Sequence, residues 1–72
     1  MCKIDLHGVR HKDVSRKLDI FFWEMMKKNI SEVEVVTGIS EQMKKIVIKT
    51  SKDYDFNIVE NFNEGSLKIN LI

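Results

Sequence analysis

Two short runs hold the residue types from which a reaction centre can be built. In Ile4-Asp5-Leu6-His7-Gly8 a carboxylate and an imidazole stand two positions apart. On a β-strand, where side chains alternate, that spacing sends Asp5 and His7 to one face at about 6.5–7 Å along the chain. The carboxylate can then bias or orient the imidazole, and Gly8 lets a substrate backbone come close. Such a pair suits proton transfer, although a strand-end histidine bonded to a neighbouring carbonyl satisfies the same pattern without chemistry. The second run is Thr37-Gly38-Ile39-Ser40. A glycine in a strand-to-helix turn presents backbone N–H groups and the positive end of a helix dipole to an anion such as phosphate. Easing a tight turn at Gly38 and capping a helix with Ser40 are the plainer uses of the same residues. Arg10, Lys12, Arg16 and Lys17 follow the first run and Lys44 the second, where phosphate contacts would be useful.

The elements that must position these residues follow from hydrophobic periodicity. Lys3-Ile4-Asp5-Leu6-His7 alternates as a strand that Gly8 ends. From about His11 to Lys28, Val14, Leu18, Phe21 and Met25 recur at spacings of four, three and four, one apolar stripe along a helix that Phe22 widens. Asp13 in its first turn and Lys27 and Lys28 in its last match the helix dipole, Asn29 suits its end, and Arg10 is a poor N-cap. Glu32 to Thr37 is β-branched and largely alternating, a second strand closed by Gly38. Ser40 caps a helix to about Lys52 with Met43, Ile46, Val47 and Thr50 on one side; Ile46-Val47-Ile48 is β-prone, so a strand competes there. Phe56, Ile58, Glu60 and Phe62 alternate with Asn57, Val59 and Asn61, and Leu67, Ile69 and Leu71 with Lys68 and Asn70, giving a terminal hairpin around Asn63-Glu64-Gly65. The expected class is therefore α+β, a two-layer α/β sandwich in the order β-α-β-α-β-β, with a right-handed parallel crossover between the first two strands. One sheet face is left open, with Asp5, His7, Glu34, Val36, Asn57, Val59, Asn61, Lys68 and Asn70 on it. The ends of two parallel neighbours lie side by side, so Asp5, His7 and the Thr37-Gly38 turn are expected at one edge.

Composition bounds what such an edge can do. Seventy-two residues form a single domain, 1–72, that buries only about 60% of its unfolded surface, which leaves little for an enclosed cofactor cavity. The lone Cys2 makes no internal disulfide, the first residues carry no apolar signal region, and no stretch approaches the roughly 20 residues needed to span a bilayer, so a cytoplasmic protein is expected. Net charge is +1, but residues 1–52 hold 11 basic and 7 acidic side chains and residues 53–72 hold 1 and 4. That bias suits a polyanion while falling short of a dense basic field. His11 with Asp5 and His7 lacks a fourth ligand, so no metal site is assigned and a divalent ion stays an optional addition. Trp23 lies about 180° around the helix from the apolar stripe, free to stack a base or to bury in a partner or a second copy.

Taken together these residues resemble the small MutS-related (Smr) domain family. The likeness rests on IDLHG at 4–8, the Val9, Val14, Leu18, Phe21 spacing, VVTG at 35–38 and GSLKINLI at 65–72, and spans nearly the whole chain. It implies a fold similar to the C-terminal domain of translation initiation factor three, in the same element order. It further implies nucleic-acid binding, RNA or DNA, with RNA-cleaving or DNA-nicking endonuclease activity in many members. Carried onto this sequence, Asp5 and His7 become the catalytic or scissile-phosphate residues, and Thr37 and Gly38 begin the substrate loop. Gly8, Arg10, Lys12, Ser40 and Lys44 complete the expected nucleic-acid-binding set. In the mechanism expected, neutral His7 removes a proton from water or a ribose 2′-hydroxyl, Asp5 orients it, and N–H groups of the Gly38–Ser40 turn with Arg10 or Lys44 stabilise the phosphate. Two departures stand out. The family's second motif reads TG, any residue, G, whereas Ile39 and Ser40 follow Gly38 here; the Gly-rich segment before the last strand is reduced to Asn63-Glu64-Gly65-Ser66. A short stand-alone form with a degenerate second motif is the expectation, with a catalytically inactive binding or protein-interaction module as the alternative.

Overall fold

Alternation at the N-terminus forms β1 (Cys2–Asp5), whose odd and even positions divide between core and solvent, with Leu6 just beyond it fully buried. A computed structural model describes residues 2–63 and 65–71 and the side chains of these except residues 60–63. The following elements are α1 (His11–Lys27), β2 (Glu32–Val36), α2 (Glu41–Asp53), β3 (Asn57–Asn63) and β4 (Ser66–Asn70). The chain is thus α+β in the expected order, and the β-prone Ile46-Val47-Ile48 lies within α2. Val47 joins Met43 in the core there, and the Ser40 side chain accepts the Met43 N–H at 3.1 Å, the N-cap bond that starts the helix. Arg10 makes no such bond at the start of α1.

Both helices end without glycine. Asn29 and Asp55 take φ of 59° and 60°, and the bonds Ile30 N–H to Met25 O, Asn29 N–H to Met26 O, Phe56 N–H to Ser51 O and Asp55 N–H to Lys52 O close two Schellman motifs. The short polar side chains of Asn and Asp tolerate this left-handed geometry better than most.

One mixed sheet in the order β1-β2-β4-β3 forms the other layer, with β1 parallel to β2 and the remaining pairs antiparallel. Val33 and Val35 of β2 and Leu67 and Ile69 of β4 meet Val14, Leu18, Phe22 and Met25 of α1 and Met43 and Val47 of α2 in one core. The apolar stripe of α1 differs from the expected one in a single respect: Phe22, not Phe21, is fully buried. Its ring stands edge-on to Tyr54 and Phe56, at 5.5 and 5.1 Å between centroids, which pulls the buried stripe towards α2. Ser15 Oγ lies 3.1 Å from Thr50 Oγ1, and the Tyr54 hydroxyl donates to Asp19 Oδ1 at 2.9 Å, fixing that same flank of α1 against α2 and the turn after it.

Strict alternation does not survive along β3. Val59 pairs with Lys68 and Asn63 with Ser66, so residues 60–62 oppose Leu67 alone and the edge strand bulges. The expected face assignments of Glu60, Asn61 and Phe62 lie outside the described side chains, and Glu64 outside the described residues. The open face carries Asp5, Glu34, Val36, Asn57, Val59, Lys68 and Asn70 as expected. Among the described residues no helix is long and apolar enough to cross a membrane.

Candidate functional site

The chain leaves β1 and β2 at the same edge of the sheet, because these strands are parallel, and each runs through a short turn into a helix. Two helix N-termini therefore start from this edge, each contributing partial positive charge. Leu6 N–H donates to Val36 O at 2.8 Å, prolonging the parallel ladder by one step. Val9 N–H then donates to Leu6 O at 2.9 Å, closing a turn over His7 and Gly8, whose φ of 86° is the positive value a type II turn requires at its third residue. His7 occupies the crown of this turn, exposed, just past the strand rather than on it.

Asp5 serves the turn and not the imidazole. Its Oδ1 accepts the backbone N–H of His7 at 2.8 Å. The carboxylate expected to orient the ring thus fixes the main chain that carries the ring. This side-chain-to-backbone bond two residues along is a local competitor that the pattern Asp-x-His always makes available.

The imidazole instead meets Gly38. A Cβ built on Gly38 would lie 2.9 Å from His7 Cδ2, and Gly38 holds φ at 69°, so any other residue would strain the backbone and displace the imidazole. On its other side Gly38 is packed by Gly65, where an added Cβ would lie 3.3 Å from the Gly38 Cα. Gly65 O accepts three donors: Thr37 N–H at 2.8 Å, Gly38 N–H at 2.9 Å and the Thr37 hydroxyl at 3.3 Å, which also approaches Gly38 O at 3.0 Å. Thr37 is buried and holds the turn together. Gly38 N–H, expected to face a phosphate, is therefore committed inside the protein, whereas the N–H groups of Ile39 and Ser40 meet no acceptor among the described residues. Gly65 is not singled out by the sequence, where it is only the remnant of a glycine-rich segment, since its partner Thr37 lies in the turn after β2, 28 residues away.

The structure brings together Asp5, His7, Gly8, Thr37 and Gly38. Arg10 and Lys12, both exposed, begin α1 from this edge; Ser40 and Lys44 begin α2, with Lys44 Nζ 3.9 Å from Glu41 Oε1. Register sets Asp5, Val36, Ser66 and Asn63 in one row across the sheet, and the buried Ser66 Oγ has no hydrogen-bond partner among the described residues. His11, exposed at the first position of α1, is not gathered with Asp5 and His7: no group of three His, Cys, Asp or Glu side chains disposed to hold a metal occurs among the described residues. Trp23 is 62% exposed on the far side of α1.

Comparison with known proteins agrees with this architecture. The crystal structure of the Smr domain of Thermus thermophilus MutS2 superposes with a TM-score of 0.85 over 100% of this chain and 99% of that one, at 13% sequence identity, a likeness of fold. No curated protein matches the chain significantly. The Smr domain family model matches residues 4–68, which contain the His7 turn, the Thr37-Gly38 turn and Gly65 together. On that match the chain belongs to the Smr family.

Proposed function

We propose that this Smr chain binds nucleic acid at the edge where α1 and α2 begin, and that His7 acts there as the general base of an endonuclease. The observation that carries the reading is the seating of an exposed imidazole directly on Gly38, between two helix N-termini. A phosphodiester laid on this edge faces the N–H groups of Ile39 and Ser40 and the cations Arg10, Lys12 and Lys44. With RNA, His7 accepts the proton of a ribose 2′-hydroxyl, whose oxygen bonds to phosphorus as the P–O5′ bond breaks, and the leaving oxygen takes a proton from solvent. With DNA, water takes the place of the 2′-hydroxyl. Asp5 acts as a positioning residue through the His7 main chain. Gly8 leaves open space above the turn, with nothing among the described residues within 4 Å of an added Cβ. The work is done in the cytoplasm, on a macromolecule and not on a small metabolite.

One observation favours a second reading, binding without turnover: Gly38 N–H already donates to Gly65 O, which leaves this turn one donor fewer for a developing phosphorane. The two separate in one experiment. Purified protein is incubated with labelled single-stranded RNA and supercoiled DNA, with and without magnesium, beside His7→Ala. Cleavage lost in the variant while binding persists supports the endonuclease; salt-sensitive binding without product in either protein supports the second reading; undiminished cleavage by His7→Ala removes the imidazole from the mechanism.

A further inference from the structure

The outward face of α1 has a composition that neither the core nor the His7 edge uses. At about 100° per residue, Lys12, Arg16, Ile20, Trp23 and Lys27 fall within an arc of about 80° on the side turned away from the Val14–Met25 stripe. All five are exposed, Trp23 by 62% and Ile20 by 55%. No ion pair holds Lys12, Arg16 or Lys27 among the described residues. Asp19, the acid closest to this arc on the α2 side, accepts the Tyr54 hydroxyl and is drawn towards α2; Asp13 and Glu24 border the other edge. Among the described side chains the open face of the sheet is slightly acidic, with Asp5, Glu32 and Glu34 against Lys3 and Lys68, the last 2.9 Å from Glu32. A polyanion is better matched in charge by this arc of the helix than by the described part of the sheet face.

We propose that this face is a track for single-stranded nucleic acid, with one base stacked on Trp23 and phosphates on Lys12, Arg16 and Lys27, and that it leads the strand to the His7 edge. The inference rests on the reading of that edge as a nucleic-acid site and adds the path and the strandedness of the substrate. Continuity argues for it: Gly8 and Arg10 join the His7 turn to the first residue of α1, so the track begins where the proposed scission occurs. From Lys12 to Lys27 the helix rises about 22 Å, room for a run of several single-strand nucleotides, of the order of the roughly 4–16 that one single-strand-binding fold contacts. Interleaved cations with one aromatic suit a single strand, whose bases are free to stack, whereas a duplex keeps its base faces hidden. Two apolar residues among three cations make too narrow an apolar strip for a helix that lies in a membrane surface.

Trp23 is the sole tryptophan, so its fluorescence reports on the track alone. The intact protein is titrated with short single-stranded RNA and DNA, with the matching duplex, with polyphosphate as an anion lacking bases, and with phosphatidylserine vesicles. Single strands are expected to quench the emission and duplex and polyphosphate to leave it largely unchanged. Trp23→Ala is expected to weaken single-strand binding about tenfold and Trp23→Phe to retain most of it. Arg16→Ala and Lys27→Ala should each lower the salt dependence of binding by about 0.7 in log–log slope. Quenching as strong with polyphosphate, a response to vesicles alone, or unchanged affinity in Trp23→Ala overturns the track. If Trp23→Ala binds and cleaves normally while His7→Ala does not cleave, the track fails and the edge stands; if the oligonucleotides do not bind at all, both fail.

Discussion

Replacing Gly38 by alanine tests how the imidazole is seated. Two costs follow from the structure. At φ of 69° an L-residue is in the left-handed region, which costs about 1–2 kcal/mol. The new Cβ would also stand 2.9 Å from His7 Cδ2, where carbon atoms in contact normally sit about 3.5–4.0 Å apart. The ring must therefore retreat by roughly 0.6–1 Å. His7 is exposed and can swing for about 0.5–1.5 kcal/mol, so the clash is relieved by moving the imidazole and not by unfolding the turn. Gly38→Ala should consequently fold, with stability lowered by about 1.5–3.5 kcal/mol, while cleavage falls by about a hundredfold, the usual effect of a 1 Å misplacement. Chemical denaturation gives the first quantity and single-turnover cleavage of labelled RNA the second. In Gly38→Ala with His7→Ala the steric part disappears, and the double variant should be less destabilised than the two single effects summed. A folded Gly38→Ala protein that cleaves at the wild-type rate would refute the idea that contact with Gly38 positions the imidazole.

Three further outcomes follow from the same geometry. Asp5→Asn keeps a side-chain oxygen for the His7 N–H and should retain most activity, whereas Asp5→Ala should lose about 0.5–1.5 kcal/mol of stability and most of the cleavage; equal loss in both variants would mean that the charge itself is needed. Thr37→Val removes the hydroxyl that approaches Gly38 O and Gly65 O and should cost about 1 kcal/mol by denaturation, with no loss of the fold. Burial, and then the hydrogen bond to and negative charge of Asp19, raise the Tyr54 phenol above its ordinary value of 10.0. The neutral form is the favoured one in the folded protein, so this contribution to stability is complete below about pH 10 and lost as pH rises through the folded value. Phenolate absorbance, read from the sole tyrosine, should show a lower midpoint in Asp19→Ala, and an unchanged midpoint would exclude the carboxylate as a cause.

Local pattern made most of the fold legible. Alternation in Lys3–His7 and Glu32–Thr37 marks two half-buried strands, and the Val14, Leu18, Met25 spacing marks the buried side of α1, because both periods report which face meets the core. The exchange of Phe21 for Phe22 escaped it, since the choice depends on Tyr54 and Phe56 arriving from a distant part of the chain. The bulge of residues 60–62 escaped it as well: period two cannot count residues that a partner strand leaves unpaired. At the site, residue types pointed to Asp5, His7, Thr37 and Gly38, and strand topology brought them to one edge. Their bonding was not readable, because Asp5 has its nearest donor in its own backbone, and Gly65 reaches Gly38 only through the pairing of β2 with β4.

The central claim is that nucleic acid is held where α1 and α2 begin. Backbone amide chemical shifts, recorded as a short single-stranded RNA is added to the His7→Ala protein so that the substrate stays intact, map the contact directly. The account predicts that Gly8, Gly38, Ile39 and Ser40 move most, together with the first turns of both helices. Shifts confined to the open sheet face around Lys3, Glu34 and Asn70, with those four unmoved, would contradict it.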